Sequence, residues 1–192
     1  MSLKLLTLAI LMTSNLALGD QDSGLIDDFA SDDGRSRLGT PWRLVTDRVM
    51  GGVSDAAMAL REVDGRRALC MQGEVSLENN GGFVQVNVDL ARDGFFDASG
   101  FDGVRLLVRG NGETYSLHLK TAATNMPWQS YRAEFIADDQ WRELRLPFAA
   151  FEPHRLVPIL DPARLKRVGI VAIGRVMRAD LCVGGIGFYT EN

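Results

Sequence analysis

Apolar and polar residues alternate along much of the chain after residue 55, which is the pattern of half-buried β-strands. Segments 56–63 and 66–73 flank Asp64-Gly65, a dipeptide typical of a type I′ β-hairpin. The clearest alternation lies at 83–90, where one face is mostly polar and the other consists of Val84, Val86, Val88 and Leu90. The pattern therefore predicts antiparallel strands with one face on a core.

Further strands follow the same pattern, and Asn111-Gly112 predicts a turn between the first two of them. Pro147 is expected to end or weaken one strand, and helical periodicity is limited to a short turn after Asp161. These strands are predicted at 104–109, 116–120, 131–135, 143–148, 168–173 and 181–189. Many short strands with little helix favour an all-β sandwich or jelly roll.

The N-terminus has the layout of a secretory signal: Lys4 precedes an apolar run at 5–12, and the small residues Ala17 and Gly19 precede Asp20. We predict a signal peptide over 1–19, a flexible lead-in over 20–36 and one jelly-roll domain over 37–192, with an uncleaved anchor or a buried first strand as the alternative. The apolar run is too short to span a bilayer, and no later segment predicts a membrane span. The chain is therefore expected to be periplasmic or secreted.

Charge and cysteine content narrow the possible partners. The 21 basic and 25 acidic residues give a net charge of −4 and are interspersed, which argues against nucleic acid as a partner. Cys70 and Cys182 can form one disulfide in an oxidising compartment or can be two separately buried thiols, because the sequence fixes no distance between them.

The sequence lacks the usual catalytic motifs for phosphate, zinc, redox or dinucleotide chemistry. The segment 52–56 resembles a nucleophile elbow around Ser54, but it falls one residue short and no helix is predicted after it. His118 is predicted on the polar face of a strand, as a solvated side chain. Asp27-Asp28 could offer oxygens to calcium, but the glycines Gly184-Gly185 add no carboxylate. We therefore predict a non-enzymatic protein without metal or cofactor.

Two double-glycine segments stand out as a candidate partner-binding rim, with tight corners of the sandwich as the alternative interpretation. Their candidate residues are Asp47, Met50, Gly51, Gly52, Ser54, Asn79, Asn80, Gly81, Gly82 and Phe83. A second hypothesis is carbohydrate binding on a strand face, with Trp128 at its rim to stack on a sugar ring; a solvated face with cross-strand ion pairs is the alternative. The residues of this possible ligand face are Arg105, Arg109, His118, Trp128 and Arg132.

Both double-glycine segments occur in an ordered series with further aromatic and glycine residues. The series resembles the complex I intermediate-associated protein 30 family from about Phe29 to Tyr189, and it includes Trp42, Asp47, Gly73, Val108-Arg109-Gly110, Tyr115, Tyr131, Phe135, Trp141, Pro147-Phe148 and Phe151. The resemblance implies a galactose-binding-like jelly roll and, for mitochondrial members, a non-enzymatic role with protein partners in assembling respiratory complex I. The chain departs from the family pattern at 153–158, which lacks an Arg-Gly pair, and in its predicted export signal.

Overall fold

The computed structural model describes residues 24–191, so the predicted signal peptide lies outside the described residues. Twelve strands follow in chain order: β1 Leu25–Asp27, β2 Arg43–Thr46, β3 Asp55–Val63, β4 Arg66–Val75, β5 Phe83–Asp89, β6 Gly103–Gly110, β7 Thr114–Thr121, β8 Ser130–Ile136, β9 Arg142–Pro147, β10 Glu152–His154, β11 Leu165–Ile173 and β12 Met177–Tyr189. Short 3₁₀ turns occupy Asp47–Met50, Glu78–Asn80, Phe148–Ala150 and Pro162–Arg164. Within this part of the chain, no helix has the length and apolar character to cross a membrane.

The strands form two antiparallel six-stranded sheets. The first, the β12 sheet, has the order β3-β4-β12-β6-β9, with β1 also paired to β12. The second, the β7 sheet, has the order β10-β8-β7-β11-β5-β2. The apolar faces of both sheets supply a common core, which includes Leu106, Leu181, Leu117 and Ile170. The predicted all-β jelly-roll fold is confirmed.

Local sequence signals account for most of the strand ends. Asp64 and Gly65 have φ angles of 50° and 70°, as a type I′ turn requires, and β3 and β4 pair along their full length. Strand β9 ends at Pro147, and the Asp161 carboxylate accepts the Ala163 N–H at the start of a 3₁₀ turn. The sequence did not predict β1, β2 and β10, because three or four residues are too few to show alternation.

The predicted flexible lead-in is part of the domain from Gly24 onward. Leu25–Asp27 pairs with β12, and Ile26 and Phe29 are buried in the core. Asp27 accepts hydrogen bonds from the indole N–H of Trp42 at 2.7 Å and from the Phe29 N–H at 2.9 Å. These contacts attach the segment to the sandwich, which a composition rich in Asp, Ser and Gly did not indicate.

Cys70 and Cys182 form a disulfide. The two residues lie directly opposite each other in the paired strands β4 and β12, so the bond joins neighbours within one sheet rather than the two sheets. The sequence separation of 112 residues means that the bond closes most of the domain into one covalent loop.

Candidate functional site

The two double-glycine segments meet around the buried carboxylate of Asp47. Its oxygens accept four hydrogen bonds: from the Ser54 N–H at 3.0 Å, the Ser54 hydroxyl, the Gly82 N–H at 2.6 Å and the Phe83 N–H at 3.3 Å. The Ser54 hydroxyl oxygen in turn accepts the Ser76 N–H at 2.9 Å. One carboxylate therefore ties the loop after β2 to the loop before β5.

Glycine is required at two of these positions because Asp47 fills the adjacent space. A Cβ on Gly52 would lie 2.4 Å from the Asp47 Cγ, and a Cβ on Gly81 would lie 2.4 Å from its Oδ2. The neighbouring Gly51 has open space around it but a φ of 93°, which disfavours other residues. The double-glycine signature is thus largely a packing requirement of the buried acid.

The ionised state of Asp47 follows from these bonds. Burial by itself would raise the pKa of Asp47, but the hydrogen bonds from Ser54, Gly82 and Phe83 lower the pKa below its usual range. Asp47 and Ser54 are fully buried, and Gly52 and Gly82 are buried too. These four residues are not accessible to a partner in this conformation, so their position does not support the partner-binding role predicted for them.

Other residues of the same loops are exposed and apolar. Gly82 accepts the Gly174 N–H, which joins the β11–β12 turn to the two loops. Phe83 is partly buried, while Gly51, Asn79 and Asn80 are exposed. We name the exposed apolar set the apolar rim: Val49 (75% exposed), Met50 (63%), Val53 (40%), Leu77 (48%) and Val176 (71%).

A second candidate surface is the outward face of the β7 sheet, called here the polar face. Its residues alternate with the core residues and include Arg43, Val45, Phe83, Gln85, Asn87, Asp89, Ser116, His118, Lys120, Ser130, Arg132, Glu134, Glu152, His154, Arg167, Gly169, Val171 and Ile173. One row crosses all six strands in register: Glu152, Arg132, His118, Gly169, Asn87 and Arg43. Gly169 carries no side chain, so this row has a gap between His118 and Asn87.

His118 lies near the middle of the polar face and is only 9% exposed, so the prediction of a solvated histidine is wrong. Burial, followed by the charges of Arg132, His154 and Lys120, lowers the pKa of His118 to about 3, so the ring is neutral at pH 7. Its Nε2 has no hydrogen-bond partner among the described residues.

The predicted ligand face is divided between the two sheets. His118 and Arg132 lie opposite each other in β7 and β8. Arg105 and Arg109 belong to β6 of the β12 sheet, where Arg109 pairs with Asp64. The Asn111-Gly112 turn carries the chain from one sheet to the other, so consecutive strands with similar alternation do not share a face.

Trp128 lies in the loop between β7 and β8, at the rim of the polar face. Lys120 donates from Nζ to the carbonyl oxygens of Pro127 and Gln129 at 2.7 and 3.0 Å, which fixes the backbone on either side of Trp128. The Gln129 amide donates to the Arg155 carbonyl at 3.0 Å and joins this loop to the chain beyond β10. The indole is 51% exposed and can therefore contact a ligand.

Sequence reasoning missed several members of the polar face because their strands are short or their partners are distant. Arg43 and Arg167 both pair with Asp89, at 2.7 and 2.6 Å. Strand β10 adds His154 beside Ser130. The alternation in β11 could have identified Arg167, but its sheet neighbours are decided by long-range pairing.

No cluster of three or more metal-binding side chains occurs among the residues that the structure describes. Asp27, considered above for calcium, is bonded to Trp42 and Phe29. Asp28 pairs with Arg37 at 2.7 Å. Both carboxylates thus have protein partners.

Several solved structures with the same fold are carbohydrate-binding modules. The family 11 module of the cellulosomal cellulase Lic26A-Cel5E of Clostridium thermocellum superposes with a TM-score of 0.68 at 12% identity, over 87% of this chain and 94% of that one. The Clostridium thermocellum family 11 module in complex with a β-1,3-1,4-mixed-linked tetrasaccharide gives 0.67 at 12% identity, over 87% and 95%. A family 30 carbohydrate-binding module gives 0.53 at 10% identity, over 74% and 76%. At such low sequence identities, these superpositions establish the fold alone.

Sequence comparison identifies the family. A search of curated proteins gave no match to the chain. The profile of the complex I intermediate-associated protein 30 family matches residues 28–181, which include both double-glycine segments and most of the strands of the two sheets. The chain therefore belongs to the complex I intermediate-associated protein 30 family.

Proposed function

We propose that this protein is a non-catalytic binding module whose polar face binds a carbohydrate chain. The observation that carries this proposal is the combination of a sheet face lined by hydrogen-bonding side chains with an exposed tryptophan ring at its rim. Sugars present hydroxyl groups along their edges and apolar C–H faces, so a site of this kind complements them. The sequence analysis favoured a protein partner. We place carbohydrate first because the polar face and the exposed ring of Trp128 lie side by side.

Individual contacts support this choice. Gln85, a half-buried residue of β5, supplies an amide donor and an amide acceptor on the polar face. One solved neighbour of the fold holds a tetrasaccharide, but the argument depends on the residues of this chain.

A glycan array with the purified protein, followed by calorimetry on the glycans it retains, tests the proposal. Trp128→Ala should weaken glycan binding by about tenfold or more, because it removes the exposed ring. Met50→Ala, at the apolar rim, should leave glycan affinity unchanged. Absence of binding to every glycan, or binding insensitive to Trp128→Ala, would contradict the proposal.

A protein partner is the second candidate, and the apolar rim favours it. Five apolar side chains that are 40–75% exposed lie on three loops joined through Asp47 and Gly82. Exposed apolar clusters of this kind commonly mark protein-interaction sites. An assembly role, as the family description suggests, would use this end of the sandwich rather than the polar face.

Photo-cross-linking from introduced residues tests this second candidate. A cross-linker placed at Met50 and, separately, at Val176 should capture the same protein in native cells. The same cross-linker at Arg145, an exposed position on the edge strand β9, should not capture it. Capture of different proteins from the two rim positions would argue against a single binding surface.

We further propose that the protein functions in an exported compartment. The disulfide between Cys70 and Cys182 supports this, because such bonds persist in oxidising surroundings. The predicted signal peptide at 1–19 points the same way. Non-reducing mass spectrometry of the native protein should give the mass of a chain that starts at Asp20 and is two hydrogen atoms lighter than the reduced chain; an intact Met1 would contradict export by cleavage.

A further inference from the structure

One end of the polar face carries more positive than negative charge, although the whole chain has a net charge of −4. Four cations lie there, namely Arg43, Lys120, Arg132 and Arg167, against the carboxylates Asp89 and Glu152. We call this set the basic band. It crosses the sheet from β10 to β2, five inter-strand spacings or about 24 Å.

The acids of the basic band leave two cations unpaired. Asp89 accepts both Arg43 and Arg167, so its charge is already compensated. Lys120 donates only to carbonyl oxygens, and Arg132 donates from Nε to the Ser130 hydroxyl at 3.0 Å. Neither forms an ion pair with any residue in 24–191.

Both of these cations retain donors for a ligand. Lys120 uses two of its three N–H groups, so one is left. The guanidinium of Arg132 uses Nε and keeps both terminal NH₂ groups, the pair that grips a carboxylate or sulfate group. An uncharged sugar hydroxyl would not compensate these charges, whereas an acidic group would.

The pKa shifts of Lys120 and Arg132 agree with a positive electrostatic potential at the basic band. After burial, the pKa of Lys120 is lowered by Arg167, Lys166 and Arg132. Burial, and then the charge of Arg155, lowers the pKa of Arg132 in the same way. The positive charges around Lys120 and Arg132 therefore make a further positive charge unfavourable there and a negative charge favourable.

A cavity continues the band at its β2 end. Arg35, Arg43 and Arg92 line this cavity of about 360 Å³, and Asp89 is the carboxylate among its lining residues. Arg92 extends its guanidinium against Gly39, where a Cβ would lie 2.6 Å from Nη2. The volume falls in the range of small-ligand sites, roughly 300–1,000 Å³.

We infer that the polar face binds an acidic polysaccharide, a chain of uronic acid or sulfated sugars that crosses the strands along the basic band. This inference depends on the carbohydrate function proposed above. Acidic groups of the chain pair with Arg132 and Lys120 near Trp128, and another enters the cavity beside Arg92.

The test compares four probes by affinity electrophoresis and calorimetry: polygalacturonate for carboxylates, dextran sulfate for sulfates, a neutral mixed-linked β-glucan, and polyglutamate as a polyanion without sugar. We expect one acidic polysaccharide to bind at least about tenfold more tightly than the neutral glucan and polyglutamate. Raising NaCl from about 0.05 M to about 0.5 M should weaken this binding about tenfold or more.

Variants locate the site. Arg132→Gln and Lys120→Gln should each weaken acidic polysaccharide binding about tenfold. Arg178→Gln removes the same charge from the other sheet and should change it by no more than about twofold. Arg132→Lys keeps the charge but loses the paired NH₂ groups, so it should retain part of the affinity. Circular dichroism and thermal unfolding verify that each variant is folded.

The outcomes separate this inference from the proposed function. Tight, salt-insensitive binding of the neutral glucan would overturn the acidic ligand while supporting carbohydrate binding. Absence of binding to all three polysaccharides would overturn both. Equal affinity for polyglutamate, or equal effects of Arg132→Gln and Arg178→Gln, would also overturn the inference, because the protein would then respond only to general charge.

Discussion

Replacing Asp47 with Asn is the sharpest test of the double-glycine segments. The substitution keeps the size of the side chain and exchanges one acceptor oxygen for an NH₂ donor. Oδ2 accepts three bonds and Oδ1 accepts the Ser54 N–H, so the least damaging placement puts NH₂ at the Oδ1 position. The buried Ser54 N–H then faces another donor and loses its partner.

The expected loss can be worked from these contacts. An unsatisfied buried N–H costs about 1–3 kcal/mol, and the three remaining bonds lose the strength that a charged acceptor gives them. We therefore expect Asp47→Asn to lower the free energy of unfolding at pH 7 by about 2–4 kcal/mol. Asp47→Ala leaves three backbone N–H groups without an acceptor and should cost more.

The effect should also depend on pH, with a sign that follows from the lowered pKa of Asp47. A carboxylate whose pKa is lower in the folded state stabilises the protein above its unfolded pKa, about 4, and loses this contribution as pH falls through the folded pKa. The difference between wild type and Asp47→Asn should therefore shrink below about pH 4.

Urea unfolding, monitored by tryptophan fluorescence at several pH values, measures both quantities. Asp55→Asn is the matched control, because it makes the same chemical change in a surface side chain that is 76% exposed. The control should change stability by about 0.5 kcal/mol or less. A loss below about 1 kcal/mol for Asp47→Asn at pH 7, or a loss that does not depend on pH, would refute the reasoning.

Three further predictions concern the first double-glycine segment, the disulfide and the polar face. Gly52→Ala should destabilise the protein by more than Gly51→Ala in urea unfolding. A Cβ at position 52 would clash with the buried carboxylate of Asp47, whereas a Cβ at position 51 has open space and only the φ of 93° disfavours it. Equal losses of stability would contradict this prediction. The double variant Cys70→Ala/Cys182→Ala should lose about 2–5 kcal/mol, since the bond closes a loop between residues 112 apart, and reduction of the wild type should match it in the same assay. The pKa of His118, about 3 when folded, lies below its unfolded value of about 6.5, so the stability that it contributes is complete above about pH 6.5 and falls by up to about 1.4 kcal/mol per pH unit below. His118→Gln should remove this slope, and an NMR titration that protonates His118 near pH 6 would contradict it.

Local patterns in the sequence were sufficient for the strands and their turns. The alternation at 83–90 predicted the core face of β5, and Asp64-Gly65 predicted the β3–β4 hairpin, because both depend on residues adjacent in the chain. The same series of residues identified the family and, through it, the jelly roll. Strands of three or four residues remained hidden, because a short segment contains too few positions to show a period.

The candidate sites depended on pairing between distant segments. Sequence assigned Arg105 and His118 to one face, whereas the structure places them on different sheets, since alternation fixes which side of a strand a residue occupies and not which sheet the strand joins. The disulfide likewise required β4 and β12 to meet in register.

The double-glycine segments show the division most clearly. Their order in the sequence determined the family and marked Gly52, Gly81 and Asp47 as special. Only the tertiary structure decided that the glycines make room for a buried carboxylate that binds both loops, leaving the neighbouring apolar residues exposed. The physical reason is that burial and hydrogen bonding of Asp47 arise from residues 7–36 positions away, a distance at which local propensities carry no information.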